Sequence, residues 1–147
     1  MTGIKIIAVG KMKEKFYKDA FDEYAKRLGG YCRFECVEIP ESTIDREAEA
    51  VIKCIDRQAY VTAMCIEGKK LSSTELSQLI ESKSLNGVSQ FNFIIGGSTG
   101  MSEKLKQRAD LRLSMSDMTF PHHLFRVMLA EQIYRSFKIS EGSLYHK

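Results

Sequence analysis

At 147 residues, with 44% hydrophobic and 28% charged side chains, the chain has the length and balance of one globular domain with a real core. No apolar run approaches the length of a bilayer crossing, and Met1–Lys11 lacks the pattern of a secretory leader, so a cytoplasmic protein without a membrane partner is expected. The net charge of +3 neither demands nor excludes a nucleic-acid partner.

Ile4–Val9 is a continuous apolar run closed by Gly10, the pattern of a strand covered on both faces. Lys11, Lys13 and Lys15 then start a helix reaching Leu28, with Tyr17, Phe21, Tyr24 and Leu28 along one side and Gly29 as the stop. The lysines read as a solvated helix start, and phosphate contact is the lesser reading. Arg33–Ile39 forms a second strand. Ser42 or Thr43 caps a helix whose buried face carries Ile44, Ala48, Val51 and Ile55. Tyr60–Ile66 is the third strand, closed by Glu67-Gly68. Ser72 and Glu75 form a capping box for a helix that buries Leu76, Leu79 and Ile80. Asn86-Gly87 breaks the chain before a fourth strand, Phe91–Ile95, and Ser102 begins a short helix to Arg108.

Leu111, Leu113 and Met115 alternate with polar residues, which predicts a fifth strand followed by the loop Ser116–Thr119. Pro121 suits the first turn of the last helix. From His122 to Phe137 that helix is apolar around most of its circumference, so burial on more than one side is expected. Cys32, Cys36, Cys54 and Cys65 include no CxxC pair and read as buried thiols, with neither a disulfide nor a metal.

Strands alternating with helices predict an α/β fold, a mostly parallel sheet flanked by helices. Ligands of such sheets bind beyond the C-terminal strand ends, where Gly68, Gly96-Gly97 and Ser116–Thr119 fall. By itself IIGGSTG, Ile94–Gly100, is neither GxGxxG nor a P-loop, and tight strand-to-helix turns are the plain alternative.

The combination says more than the pieces. Val9-Gly10-Lys11, Glu67-Gly68-Lys69, Phe93–Gly100, Met118–His122, Arg126, Glu131–Arg135 and the closing Tyr145-His146-Lys147 occur in this order. With these blocks nearly the whole chain resembles the RlmH family of SPOUT methyltransferases. The resemblance implies one SPOUT-type domain over residues 1–147, with a C-terminal trefoil knot, in a homodimer. It implies methyl transfer from S-adenosylmethionine to N3 of a pseudouridine in 23S ribosomal RNA within the assembled ribosome. The cofactor contacts implied here are Met64, Gly96, Met115, Ser116, Asp117, Met118, Thr119 and Phe120. Two departures stand out: the Pro40–Tyr60 segment is shorter than the family's, and Met64 replaces a common leucine. A SPOUT enzyme for another RNA position, or a non-enzymatic nucleotide- or RNA-binding module, is the competing reading.

Methyl transfer from a sulfonium needs an in-line nucleophile and, above all, positioning. What remains is the weakly acidic N3–H of the base. Tyr145, His146 and Lys147 are expected over the active site, with a loose solvated tail as the alternative. His146 would accept the N3 proton or hold the base, Tyr145 would stack on the base, and Lys147 would steer phosphate. Glu131 and Arg135 are spaced for an ion pair. Arg126, if buried, needs a partner, either a carboxylate at the dimer interface or an RNA phosphate. At least one of Arg126 and Arg135 is expected to face RNA. His122 is expected to bond across the knot, and His123 to be exposed and incidental. A chain of this size is not expected to cover Leu124, Met128 and Ile133 all alone, so His122–Phe137 is expected to pack across the two-fold axis of a homodimer.

Overall fold

The N-terminal apolar run forms β1 (Gly3–Val9), every residue of which is buried. In the structure, a computed structural model, residues 1–146 are described. The expected phosphate-steering Lys147 lies outside the described residues. After β1 come α1 (Lys15–Leu28), β2 (Arg33–Ile39), α2 (Ile44–Cys54), β3 (Tyr60–Lys70), α3 (Ser73–Leu85), β4 (Gln90–Ile95), α4 (Glu103–Arg108), β5 (Leu111–Ser114) and α5 (His122–Ser140). The five strands form one sheet in the order β2-β1-β4-β3-β5. Every pairing is parallel.

Alternation along the strands sends side chains to two apolar layers. Ile4, Ile6 and Ala8 of β1 join Phe91, Phe93 and Ile95 of β4 beneath α1, α3 and α5. Ile7 and Val9 point the other way, to Ala48 and Val51 of α2 and Leu105 of α4. Both faces of the sheet are thus covered, as a parallel sheet requires.

Helix starts follow local chemistry. The Thr43 hydroxyl accepts the Arg46 N–H at 3.2 Å, and Ser72 and Glu75 complete the capping box. The Ser102 hydroxyl accepts the Leu105 N–H at 3.2 Å. Each such cap contributes about 1 kcal/mol.

Four expectations change. Pro121 is the residue before α5 rather than its first, with φ −56° and an extended ψ of 141°. Gly29 has φ −58°, so α1 ends by winding down in right-handed turns. Ile44 is exposed rather than on the buried face of α2. The third strand runs on to Lys70, because the chain re-pairs with β5 after an irregularity between Met64 and Lys69.

Candidate active site

The irregularity in β3 builds one wall of a cavity. Met64 and Lys69 both pair with Leu113, so Cys65–Gly68 must bow out between them. A Cβ on Gly68 would lie 2.7 Å from the Arg112 carbonyl carbon, so the bow closes onto β5 only with glycine there. The expected reason for this glycine, approach to a ligand, is replaced by backbone packed on backbone.

Beyond the C-terminal ends of β3, β4 and β5 lies a cavity of about 260 Å³. Met64, Ile95, Leu113, Phe120 and Phe125 supply apolar wall, and Ser114, Ser116 and Thr119 supply hydroxyls. Of the eight positions expected at the cofactor, Met64, Gly96, Met115, Ser116, Met118, Thr119 and Phe120 line it. Asp117 does not. The Ser114 hydroxyl donates to the Ser116 carbonyl at 3.0 Å, and the Met118 N–H donates to the Ser116 hydroxyl at 3.1 Å. That turn leaves Asp117 at the crest of the loop, where it pairs with Lys70 at 2.5 Å. At Gly96 a Cβ would lie 3.0 Å from the Gly100 carbonyl oxygen, so the turn after β4 is closed tightly on itself.

Two charged residues on the cavity wall escaped the sequence reading. Glu67, on the bow of β3, pairs with Lys106 of α4. The hydrogen bond from Lys106 holds the Glu67 carboxyl below its ordinary value, and the same bond raises the Lys106 ammonium. The Glu67-Gly68-Lys69 block was visible in the sequence, but nothing local links it to a lysine on a helix thirty-nine positions later. Cys65 also lines the cavity. Burial pushes its thiol up, so at neutral pH it is a packing group and not a thiolate nucleophile.

Helix α5 starts at this cavity. His122 is exposed and forms part of the rim. His123, expected to be incidental, donates from Nδ1 to Glu14 at 2.7 Å and sets its ring edge-on to Tyr17. It ties the first turn of α5 to the start of α1, and its bond keeps the Glu14 carboxyl below the ordinary value.

Arg126 is turned into the fold rather than toward solvent. It is 2% exposed. Its Nη1 donates to Glu38 at 2.5 Å, and its Nη2 donates to the Gly10 carbonyl at 3.0 Å. The Glu38 carboxylate also accepts the Met12 N–H at 2.9 Å. Burial would raise this carboxyl, but the Met12 N–H and Arg126 outweigh it and hold it low. The partner foreseen for a buried Arg126 is therefore a carboxylate of the same chain, on β2. Ile133, expected across a two-fold axis, is 0% exposed within the chain's own core. Leu124 and Met128 are only half-buried and remain open to a partner.

The far end of α5 holds a second cluster. Arg135 donates to Glu131 from Nη2 at 2.8 Å and from Nε at 3.3 Å. The Tyr145 hydroxyl donates to the same carboxylate at 2.8 Å. The Arg135 guanidinium lies 4.8 Å from the Tyr145 ring centroid, and Tyr134 meets that ring edge-on at 5.1 Å. Burial, followed by the bond to Glu131, raises the Tyr145 phenol, which stays protonated. Arg135 Nη1 donates to His146 Nδ1 at 3.0 Å. Since arginine can only donate, the neutral His146 ring carries its proton on Nε2. With Nδ1 engaged by Arg135, Nε2–H is the ring's remaining donor, and Tyr145 is an anchor packed by Arg135 and Tyr134. The tail is thus pinned rather than loose. Along α5, Arg135 in this cluster stands thirteen residues beyond His122 at the cavity rim, about 20 Å along the axis.

Comparison with known proteins gives these features a family. A family model described as "Predicted SPOUT methyltransferase" matches residues 2–146. A Clostridium botulinum (strain Langeland) protein named Ribosomal RNA large subunit methyltransferase H is 46% identical, covering 98% of this chain and 99% of its own. A protein of the same name from Clostridium acetobutylicum is 45% identical over the same shares. The alignment spans 157 positions against the 147 residues here, so at least ten positions of the relative have no counterpart. A probable methylase family protein from Haemophilus influenzae Rd KW20 has the same fold, with TM-score 0.61 at 9% identity over 98% of this chain and 70% of that one. The chain belongs to the SPOUT methyltransferase family.

Proposed function

We propose that this protein methylates N3 of a pseudouridine in 23S ribosomal RNA, acting as a homodimer on the assembled ribosome in the cytoplasm. The observation that carries the reading is the cavity where Met64, Gly96 and the Met115–Phe120 loop meet. Full-length relatives are named for methylation of large-subunit ribosomal RNA.

S-adenosylmethionine, the family's methyl donor, supplies an electrophilic methyl group when bound. The cavity fits it: an apolar wall for an adenine, a loop rich in backbone N–H and C=O groups, and one charged pair. Met64, Gly96, Met115, Ser116, Met118, Thr119 and Phe120 would hold it, while Asp117 steadies the loop through Lys70. The trefoil knot implied by the resemblance would thread this same region, from β3 through α5. The remaining chemistry is transfer of the N3 proton to water and stabilisation of the anion left behind. His146 Nε2–H, oriented by Arg135, would donate to a carbonyl of that anion, and Arg135 and Lys147 would meet phosphate.

His122 at the cavity rim and Arg135 beside the tail are about 20 Å apart along α5, and in this reading the tail completes the site of a partner subunit. Phe16, 67% exposed beside the α1–α5 contact, together with the half-buried Leu124 and Met128, supplies the apolar surface for such a dimer. An obligate interface would bury on the order of 2,000 Å² or more. Ribosomes from a strain lacking the gene should gain one methyl group at a single pseudouridine on incubation with protein and cofactor, read by mass mapping. Methylation at a ribose, or none, would contradict the reading.

A further inference from the structure

Among the described residues, Glu67 and Lys106 are the only carboxylate and the only ammonium on the cavity wall. The rest is apolar side chain, glycine backbone, the Cys65 thiol, three hydroxyls and the rim histidine. The family's methyl donor is heavily charged at one end: beyond its adenine, ribose and sulfonium it carries an ammonium and a carboxylate on one carbon. A zwitterion leaves water only where opposite charges or hydrogen bonds replace its hydration. One carboxylate and one ammonium in contact form the complementary zwitterion.

We propose that the Glu67–Lys106 pair is the subsite for the amino-acid end of the cofactor, with Lys106 taking its carboxylate and Glu67 its ammonium. The placement supports this in three ways. Lys106 comes from α4, its side chain only 20% exposed, so the stem is packed and its ammonium is delivered to the wall. Glu67 rides on the bow of β3, which the close approach at Gly68 holds against β5. The two partners come from different elements and pair with each other, so each can exchange its partner for the matching group of a ligand without exposing a bare charge. The pair thereby screens for an intact amino-acid end, and it discriminates against nucleosides that share only adenine and ribose.

The proposal rests on this cavity being the cofactor site, and truncating the ligand separates the two claims. Calorimetry on the full chain would use S-adenosylhomocysteine and 5′-methylthioadenosine, which keeps adenine, ribose and sulfur but lacks the amino-acid end. Wild type should prefer the first by tenfold or more, as for charge-assisted hydrogen bonds. Lys106→Met and Glu67→Gln should each cut that preference to within about threefold by weakening S-adenosylhomocysteine alone. Retained methylthioadenosine affinity reports an intact pocket. A preference unchanged in both variants, or an equal loss of both ligands in the exposed Glu67→Gln, overturns the pair as the subsite and leaves the cavity. Wild type binding neither ligand overturns the cavity as well.

Discussion

The two ends of α5 do different work with different materials. At the N-terminal end, around His122–Phe125, the cavity is made of backbone turns and apolar walls, with one ion pair at its side. At the C-terminal end, Glu131, Arg135, Tyr145 and His146 form a polar lattice with no comparable cavity among the described residues. One end is shaped to hold a mostly apolar ligand, and the other to present hydrogen-bond donors. The difference teaches that holding a ligand and presenting donors are divided between the opposite ends of one helix. Between them Arg126 clamps the helix to the ends of β1 and β2.

The clamp should give the largest effect. Arg126→Ala leaves Glu38 and the Gly10 carbonyl without their partner. Breaking such a pair costs about 3–5 kcal/mol, toward the low end here because Glu38 is partly exposed. Urea denaturation checks this; an unchanged midpoint would return Arg126 to an RNA-facing role. Next comes Gly68→Ala. Its methyl group would meet the Arg112 backbone at 2.7 Å and push β5 from the bow of β3, costing about 1–3 kcal/mol. Affinity for S-adenosylhomocysteine should fall with it, because the same bow carries the cavity wall.

Acid titration sharpens the contrast further. The folded Glu38 carboxyl is held below its ordinary value of 4.5. Its contribution is therefore complete above that value and is lost as pH falls through the lower, folded one. Denaturation midpoints measured from about pH 6 down to about pH 3 should fall less steeply in Glu38→Gln than in wild type. The smallest effect belongs to the tail: Tyr145→Phe removes one hydrogen bond to Glu131, which keeps Arg135, and should cost about 1 kcal/mol. A loss as large as that for Arg126 would make the tail a structural element and remove the contrast.

Much of the architecture was legible because it is written locally. Apolar runs, the caps at Thr43, Ser72 and Ser102, and strand-end glycines each declare themselves within a few residues. What stayed hidden depends on partners distant in sequence. Arg126 and Glu38 are 88 positions apart, and Gly68 is explained by Arg112. Nothing near either residue announces the contact. Helix α5 shows the same limit. Its apolar circumference was plain, but only the packing of α1 and α3 against it tells Ile133, covered at home, from Leu124 and Met128, which are not.

A mixed dimer tests most directly whether the two ends of α5 complete each other across subunits. One chain would end at Leu144 and keep its cavity; the other would carry Gly96→Val, which crowds the turn after β4, and keep its tail. Each homodimer should be inactive in single-turnover methylation of ribosomes. The purified heterodimer has one intact cavity facing one intact tail if the tail acts across the interface, and it should recover about half the wild-type sites. A heterodimer as inactive as its parents, with dimerisation verified by sedimentation, would show that cavity and tail must belong to the same chain and would contradict the shared site.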